Sequence, residues 1–98
     1  MILVDGLSSY SAKQTRGLPS QTWCHMVSDT SEAELHAFAA RVGLNRVWAQ
    51  LKPHASAAHY DLTPQRRAIA LQLGAVAVTA RELVERNYDR ARRRPSIT

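Results

Sequence analysis

Only one cysteine, Cys24, is present, so the chain cannot form an internal disulfide or a cysteine-based zinc site. No stretch approaches the roughly 18 consecutive apolar residues that a membrane span requires. The opening MILVDG lacks the basic segment and following apolar core of a secretion signal. Neither GxGxxG nor GxxxxGK[ST] occurs, and no nucleophile elbow of the serine-hydrolase kind is found. Disulfide scaffolds, membrane proteins and serine or cysteine hydrolases are therefore set aside. A cytoplasmic location is the expectation, and Cys24 reads as a small buried hydrophobe in a strand.

The chain has 98 residues, enough for one domain over residues 1–94 with a frayed tail at 95–98. A domain this small buries a modest share of its surface, so a homo-oligomer is expected. Net charge is +5, unevenly distributed. Residues 1–80 hold seven Lys/Arg against five acids, and residues 81–98 hold six Arg against three. Basic character is thus largely a C-terminal property.

MILV reads as a short buried strand that ends at Asp5 and Gly6. Residues 7–21 are polar and aperiodic, a long loop of the kind that often carries function. TWCHMV follows as a second strand, with Trp23, His25 and Val27 on one face and Thr22, Cys24 and Met26 on the other. Ser31 with Glu34 is a capping-box pattern. Leu35, Phe38, Ala39 and Val42 then make one apolar stripe, and Gly43 stops the helix. RVWAQL, residues 46–51, reads as a third strand, and residues 52–61 as a polar loop. Thr63 as N-cap and Pro64 in the first turn start a second helix that ends at Gly74. AVAV is the fourth strand, and Thr79 with Glu82 caps a third helix carrying Leu83, Val84, Asn87, Tyr88 and Ala91 at helical spacing. Strands alternating with helices predict an α/β sandwich around a small, mostly parallel four-stranded sheet with three helices.

A parallel sheet would gather at one rim the residues just past the end of each strand. Those residues are Asp5, then Asp29 beside Ser28 and Thr30, then His54, His59, Tyr60 and Asp61, then Thr79 and Arg81. Helix N-termini on the same rim would suit an anion. Lys13, Arg16, Arg66 and Arg81 supply positive charge, and Tyr10, Trp23, Trp48 and Tyr60 supply stacking surface. The leading expectation is a nucleotide-like or phosphorylated small molecule bound, or sequestered, by Asp5, His25, Asp29, His59, Tyr60, Asp61 and Arg66. In this arrangement Arg66 holds anionic groups, Tyr60 stacks and the carboxylates read hydroxyls.

Two other readings stay open. Asp5, Asp29, His59 and Asp61 are donors of the kind that bind Mg, Mn or Fe, as a metal-dependent phosphoesterase or nuclease requires. Arg86, Arg90, Arg93 and Arg94 share roughly one helical face and would suit nucleic-acid phosphates. A plain structural account exists for several of these groups. Asp29 can cap a helix, Asp61 can shape the turn before Thr63, and the basic last turn matches the helix dipole. Helical spacing places His36 on the surface.

The start ILVDG resembles the first strand of PIN-like nucleases, in which the Asp after that strand binds metal. The longer stretches WCHMVSDTSEAELHAFAARVGL and HYDLTPQRRAIALQLGAVAVT resemble domain-of-unknown-function family 4031 over nearly the whole chain. The resemblance would place family motif positions at Asp5, Trp23, His25, Asp29, His36, Trp48, Gln50, His59, Tyr60, Asp61, Thr63 and Arg66. It implies no activity. It does set His36 apart from an ordinary surface residue.

Overall fold

The computed structural model describes residues 1–9, 22–49 and 58–92. The strands are β1 (Ile2–Val4), β2 (Ser8–Ser9), β3 (Thr22–Ser28), β4 (Tyr60–Leu62) and β5 (Val76–Ala77); the helices are α1 (Glu32–Val42), α2 (Pro64–Gln72) and α3 (Ala80–Arg92). All three predicted helices, with the Ser31 and Thr63 caps, stand where the sequence places them. Ser31 Oγ accepts from the Glu34 backbone N–H at 3.0 Å, and Thr63 Oγ1 accepts from that of Arg66 at 3.3 Å. Such caps contribute about 1 kcal/mol each.

The sheet differs from the expectation. It is mixed and mostly antiparallel: β3 pairs antiparallel with β1, β2 and β4, and only β1–β5 is parallel. Parallel neighbours need a crossover of a dozen or more residues, usually a helix. Helical periodicity is missing between β1 and β3, so the chain returns alongside β1 in the opposite sense. A second correction concerns RVWAQL. Residues Arg46–Trp48 form a 3-10 turn, with the Asn45 side chain accepting from the Val47 N–H at 3.0 Å. Val47 is 80% exposed, so no sheet buries it; Gln50 and Leu51 lie outside the described residues. A strand forms instead at Tyr60–Leu62, inside the segment read as loop and helix lead-in, and pairs with β3.

Alternation along β3 holds as expected. Cys24 and Met26 join Ile2, Val4, Tyr60 and Leu62 under α1 and α2, where Leu35, Phe38, Ala39, Val42 and Ala70 close the main core. On the other face Leu3 and Val27 pack with Val78 and with Leu83 of α3. Helices thus cover both faces, with the apolar contact of α3 lying over β1 and the C-terminal half of β3. Within α3, Leu83, Asn87 and Arg90 are buried, while Val84 and Tyr88 of the predicted stripe are exposed.

β1 and β2 run along β3 with an irregularity between them. Val4 faces Met26 and Ser8 faces Trp23, so Asp5, Gly6 and Leu7 stand opposite only Cys24 and His25. This is a bulge of one residue. It lies where the site is built.

Candidate functional site

His25 and Asp61 face each other across β3 and β4. His59 precedes Asp61 by two residues and therefore shares its face. Neighbouring Tyr60 and Leu62 point into the core on the opposite side. Three polar side chains thus collect on the α3 face of the sheet. His59 Nε2 lies 3.6 Å and His25 Nε2 3.9 Å from Asp61 Oδ1, and the imidazole rings are edge-on at 5.5 Å. One donor atom from each of the three residues lies within 4.8 Å of the others. The groups are part-exposed, His59 least, so the cluster opens to solvent.

Behind the cluster stands Asp5, whose side chain is 4% exposed. In a regular antiparallel ladder residues 5 and 25 would exchange two backbone hydrogen bonds. One is made: the Asp5 N–H donates to the His25 carbonyl at 3.2 Å. In the other, the Asp5 carboxylate replaces its own carbonyl, with Oδ1 accepting from the His25 N–H at 2.6 Å. Oδ2 lies 2.8 Å from His25 Nδ1. That contact, chiefly, raises the His25 pKa above its ordinary value, against the opposing effect of burial. The Asp5 carbonyl freed by this exchange accepts from Nε of Arg67, on α2, at 2.9 Å. A buried carbonyl left without a donor would cost roughly 1–3 kcal/mol. Arg67 removes that cost and ties α2 to the bulge.

The residues proposed from sequence divide accordingly. Asp5, His25, His59 and Asp61 converge. Asp29 does not, because β3 runs against β1 and its end lies at the far end of the sheet from Asp5. There Asp29 pairs with Arg86 and with the Met1 amino group. Burial works to raise its carboxyl pKa, but these two cations together hold it below the usual range. An open cleft at that end is lined by Asp29, Arg86, Asp89 and Arg92. Tyr60 offers no stacking face to the cluster, since strand alternation turns it into the core, where its hydroxyl lies 2.8 Å from His36 Nδ1. Arg66 points the other way along α2 and donates from Nη1 to the Val42 carbonyl at 2.8 Å, closing the C-terminus of α1.

His36 is not a plain surface residue: it is half-buried against Tyr60, and burial lowers its pKa. Trp48 is exposed in the 3-10 turn, away from any strand end. Arg86 is held by Asp29 and Glu82, and Arg90 is buried against Asn87 and Glu32. Tyr10, Lys13, Arg16, Gln50, His54, Arg93 and Arg94 lie outside the described residues.

A family model described as "Protein of unknown function (DUF4031)" matches residues 2–90. The chain belongs to this family. The match spans every element from β1 into α3, so the bulge, Arg67 and the His25–His59–Asp61 cluster all fall inside the DUF4031 region. No curated protein and no solved structure matches the chain.

Sequence reasoning does not single out Arg67, which the structure places against the Asp5 carbonyl behind the cluster. Its only signal is adjacency to Arg66 at a helix start directly after the strand that carries Asp61.

Proposed function

We propose that this DUF4031 protein is a metal-dependent phosphoesterase acting on a phosphorylated or nucleotide-like small molecule. The observation that carries this reading is the convergence of His25, His59 and Asp61 on one sheet face, with His25 clamped from behind by Asp5. Three protein donors that face solvent are the pattern of a catalytic metal site, in which coordination positions remain for water and substrate. A divalent ion there would polarise a phosphoryl oxygen and ease deprotonation of a water.

The protein's own groups have distinct tasks in this reading. Asp5 fixes the ring of His25 so that Nε2 faces outward. Asp61 supplies the anionic donor, and His59 the second imidazole. β4 runs in the same sense as β1 and β5, so α2 and α3 both begin at the end of the sheet where Asp5 and Asp61 stand. Helix N-termini favour negative charge, which supports an anionic substrate. The arginines required for a nucleic-acid surface, by contrast, are partly engaged within the protein at Arg86 and Arg90.

The test is hydrolysis of 4-nitrophenyl phosphate and bis(4-nitrophenyl) phosphate by the full chain supplied with Mn, Zn, Fe or Mg. Release of nitrophenol that is lost in His59→Ala and in chelator supports the reading. No turnover of either ester by ion-loaded protein would sink it.

A further inference from the structure

We infer that His25, His59 and Asp61 take a single first-row transition-metal ion in preference to magnesium or calcium, and that Asp5 and Arg67 are positioning residues that preset His25 as its ligand. The inference deepens the metal-dependent reading above by naming the ion class and number, and it rests on that reading only for the site's use. Ion binding itself stands or falls separately.

The donor set points to the ion class. Two imidazole nitrogens and one carboxylate form a mixed nitrogen–oxygen site, suited to Mn, Fe, Co or Zn. Magnesium and calcium favour all-oxygen shells. Ligand distances for these ions are about 2.0–2.2 Å, which places adjacent donors roughly 3 Å apart. The observed separations of 3.6 and 3.9 Å to Asp61 Oδ1 need to close by less than an ångström each. Asp61 is part-exposed, so its side chain has room to turn and shorten those two separations, while the third, between the imidazole nitrogens, lies within 4.8 Å. The number follows from the same geometry. Asp29, the other carboxylate considered for a metal, is at the far end of the sheet, and Asp5 has both oxygens committed to His25. Among the described residues only one group of donors of this kind is assembled.

Ligating histidines characteristically donate their second ring N–H to a carboxylate, which fixes the tautomer and raises the basicity of the liganding nitrogen. Asp5 Oδ2 is in that position on Nδ1, leaving Nε2 directed at Asp61. A regular β-ladder has no need of a carboxylate here, since the Asp5 carbonyl would serve His25 N–H. Asp5 occupies that place only because the strand bulges and Arg67 takes up the displaced carbonyl. The bulge, the side-chain substitution and the arginine together make a ring clamp whose outward end is a ligand atom.

The experiment is titration of the purified, chelator-stripped full chain with Zn, Co, Mn and Mg in turn, read by calorimetry. The visible absorption of Co serves as a second readout of coordination. One Zn or Co per chain, undisturbed by millimolar Mg, is expected. Asp61→Asn and His59→Gln, at part-exposed positions that leave the core intact, should abolish binding. Asp5→Asn should weaken it by about 10–100-fold while thermal unfolding stays cooperative. Arg67→Met should weaken it and alter the Co spectrum, with recovery in Arg67→Lys. Two ions per chain, equal affinity for Mg, or wild-type affinity in Asp5→Asn or in Asp61→Asn would overturn the inference. Tight Zn binding without ester hydrolysis would uphold this inference and remove the phosphoesterase reading.

Discussion

Arg66 Nη1 donates to the Val42 carbonyl from the space that a β-carbon on Gly43 would occupy. Gly43 sits at φ 91°, the left-handed conformation that closes α1, and its N–H reaches the Ala39 and Ala40 carbonyls. Two demands therefore meet at one residue: a positive φ and room for a neighbouring guanidinium. Gly43→Ala should cost more than the ~1 kcal/mol usual for a left-handed alanine. In an Arg66→Ala background the extra cost should vanish, leaving the backbone part alone. Urea unfolding of the double-mutant cycle measures this coupling.

His25 and His36 titrate in opposite senses. The hydrogen bond to Asp5 raises His25 above its ordinary value of 6.5, so its stabilisation is complete below 6.5 and is lost as pH rises through the folded value. Burial lowers His36, so its contribution is complete above 6.5 and is lost as pH falls through the folded value. Stability in chelator should therefore peak near 6.5. His36→Gln should flatten the acid side of that peak and Asp5→Asn the alkaline side, in denaturant midpoints taken across pH 5–9 (about two units either side of the peak). Identical profiles in the two variants would contradict the assignment.

Arg90 belongs to the fold and not to an exposed basic face. Its side chain is 6% exposed, with Nη2 on Asn87 Oδ1 at 2.6 Å and Nη1 3.6 Å from Glu32 of α1. Arg90→Ala should lower stability by about 1–3 kcal/mol through lost packing and the loss of its hydrogen bond to Asn87 Oδ1. Arg81→Ala, at a 90% exposed side chain, should change it by less than about 0.5 kcal/mol. Chemical denaturation of the two variants separates the structural arginine from the solvated one.

Cys24 is 1% exposed, and burial together with the nearby Asp5 carboxylate pushes its thiol up to about 12. An aromatic disulfide reagent at pH 8 (about four units below that value) should leave the native thiol unmodified and react at once in denaturant. Rapid native labelling would mean that the sheet opens at β3.

Helices and caps are legible in the sequence because they rest on local chemistry. Ser31, Thr63 and Thr79 each bond an N–H within three residues, whatever the rest of the chain does. Sheet direction is not legible, because it depends on how non-local partners meet. The polar segment before Thr63 hides a strand, since its period-two pattern alternates buried Ala58, Tyr60 and Leu62 with His59 and Asp61. Val47 and Trp48 produce the reverse error: apolar residues without burial resemble a strand. The same distinction sorts the site. Asp5, His25, His59 and Asp61 do converge, and Asp29 joins them only on the premise of parallel strands; strand alternation turns Tyr60 into the core, and Arg66 reaches the Val42 carbonyl instead. Arg67 is invisible in the sequence because its partner is a main-chain carbonyl, which no residue pattern records.

The bulge at Asp5 makes the side-chain identity of one residue a condition of chain register. If position 5 lost its carboxylate, the neighbouring carbonyl would be the natural partner for the His25 N–H, and the strand would be drawn toward a regular ladder. A shift of one residue reverses which side chains face each side of a sheet. Ser8, downstream of the bulge, would change faces. Loss of the side-chain oxygen at this position would therefore change the strand's path together with the surroundings of His25, so the shape of the sheet and the chemistry of the site share one side chain.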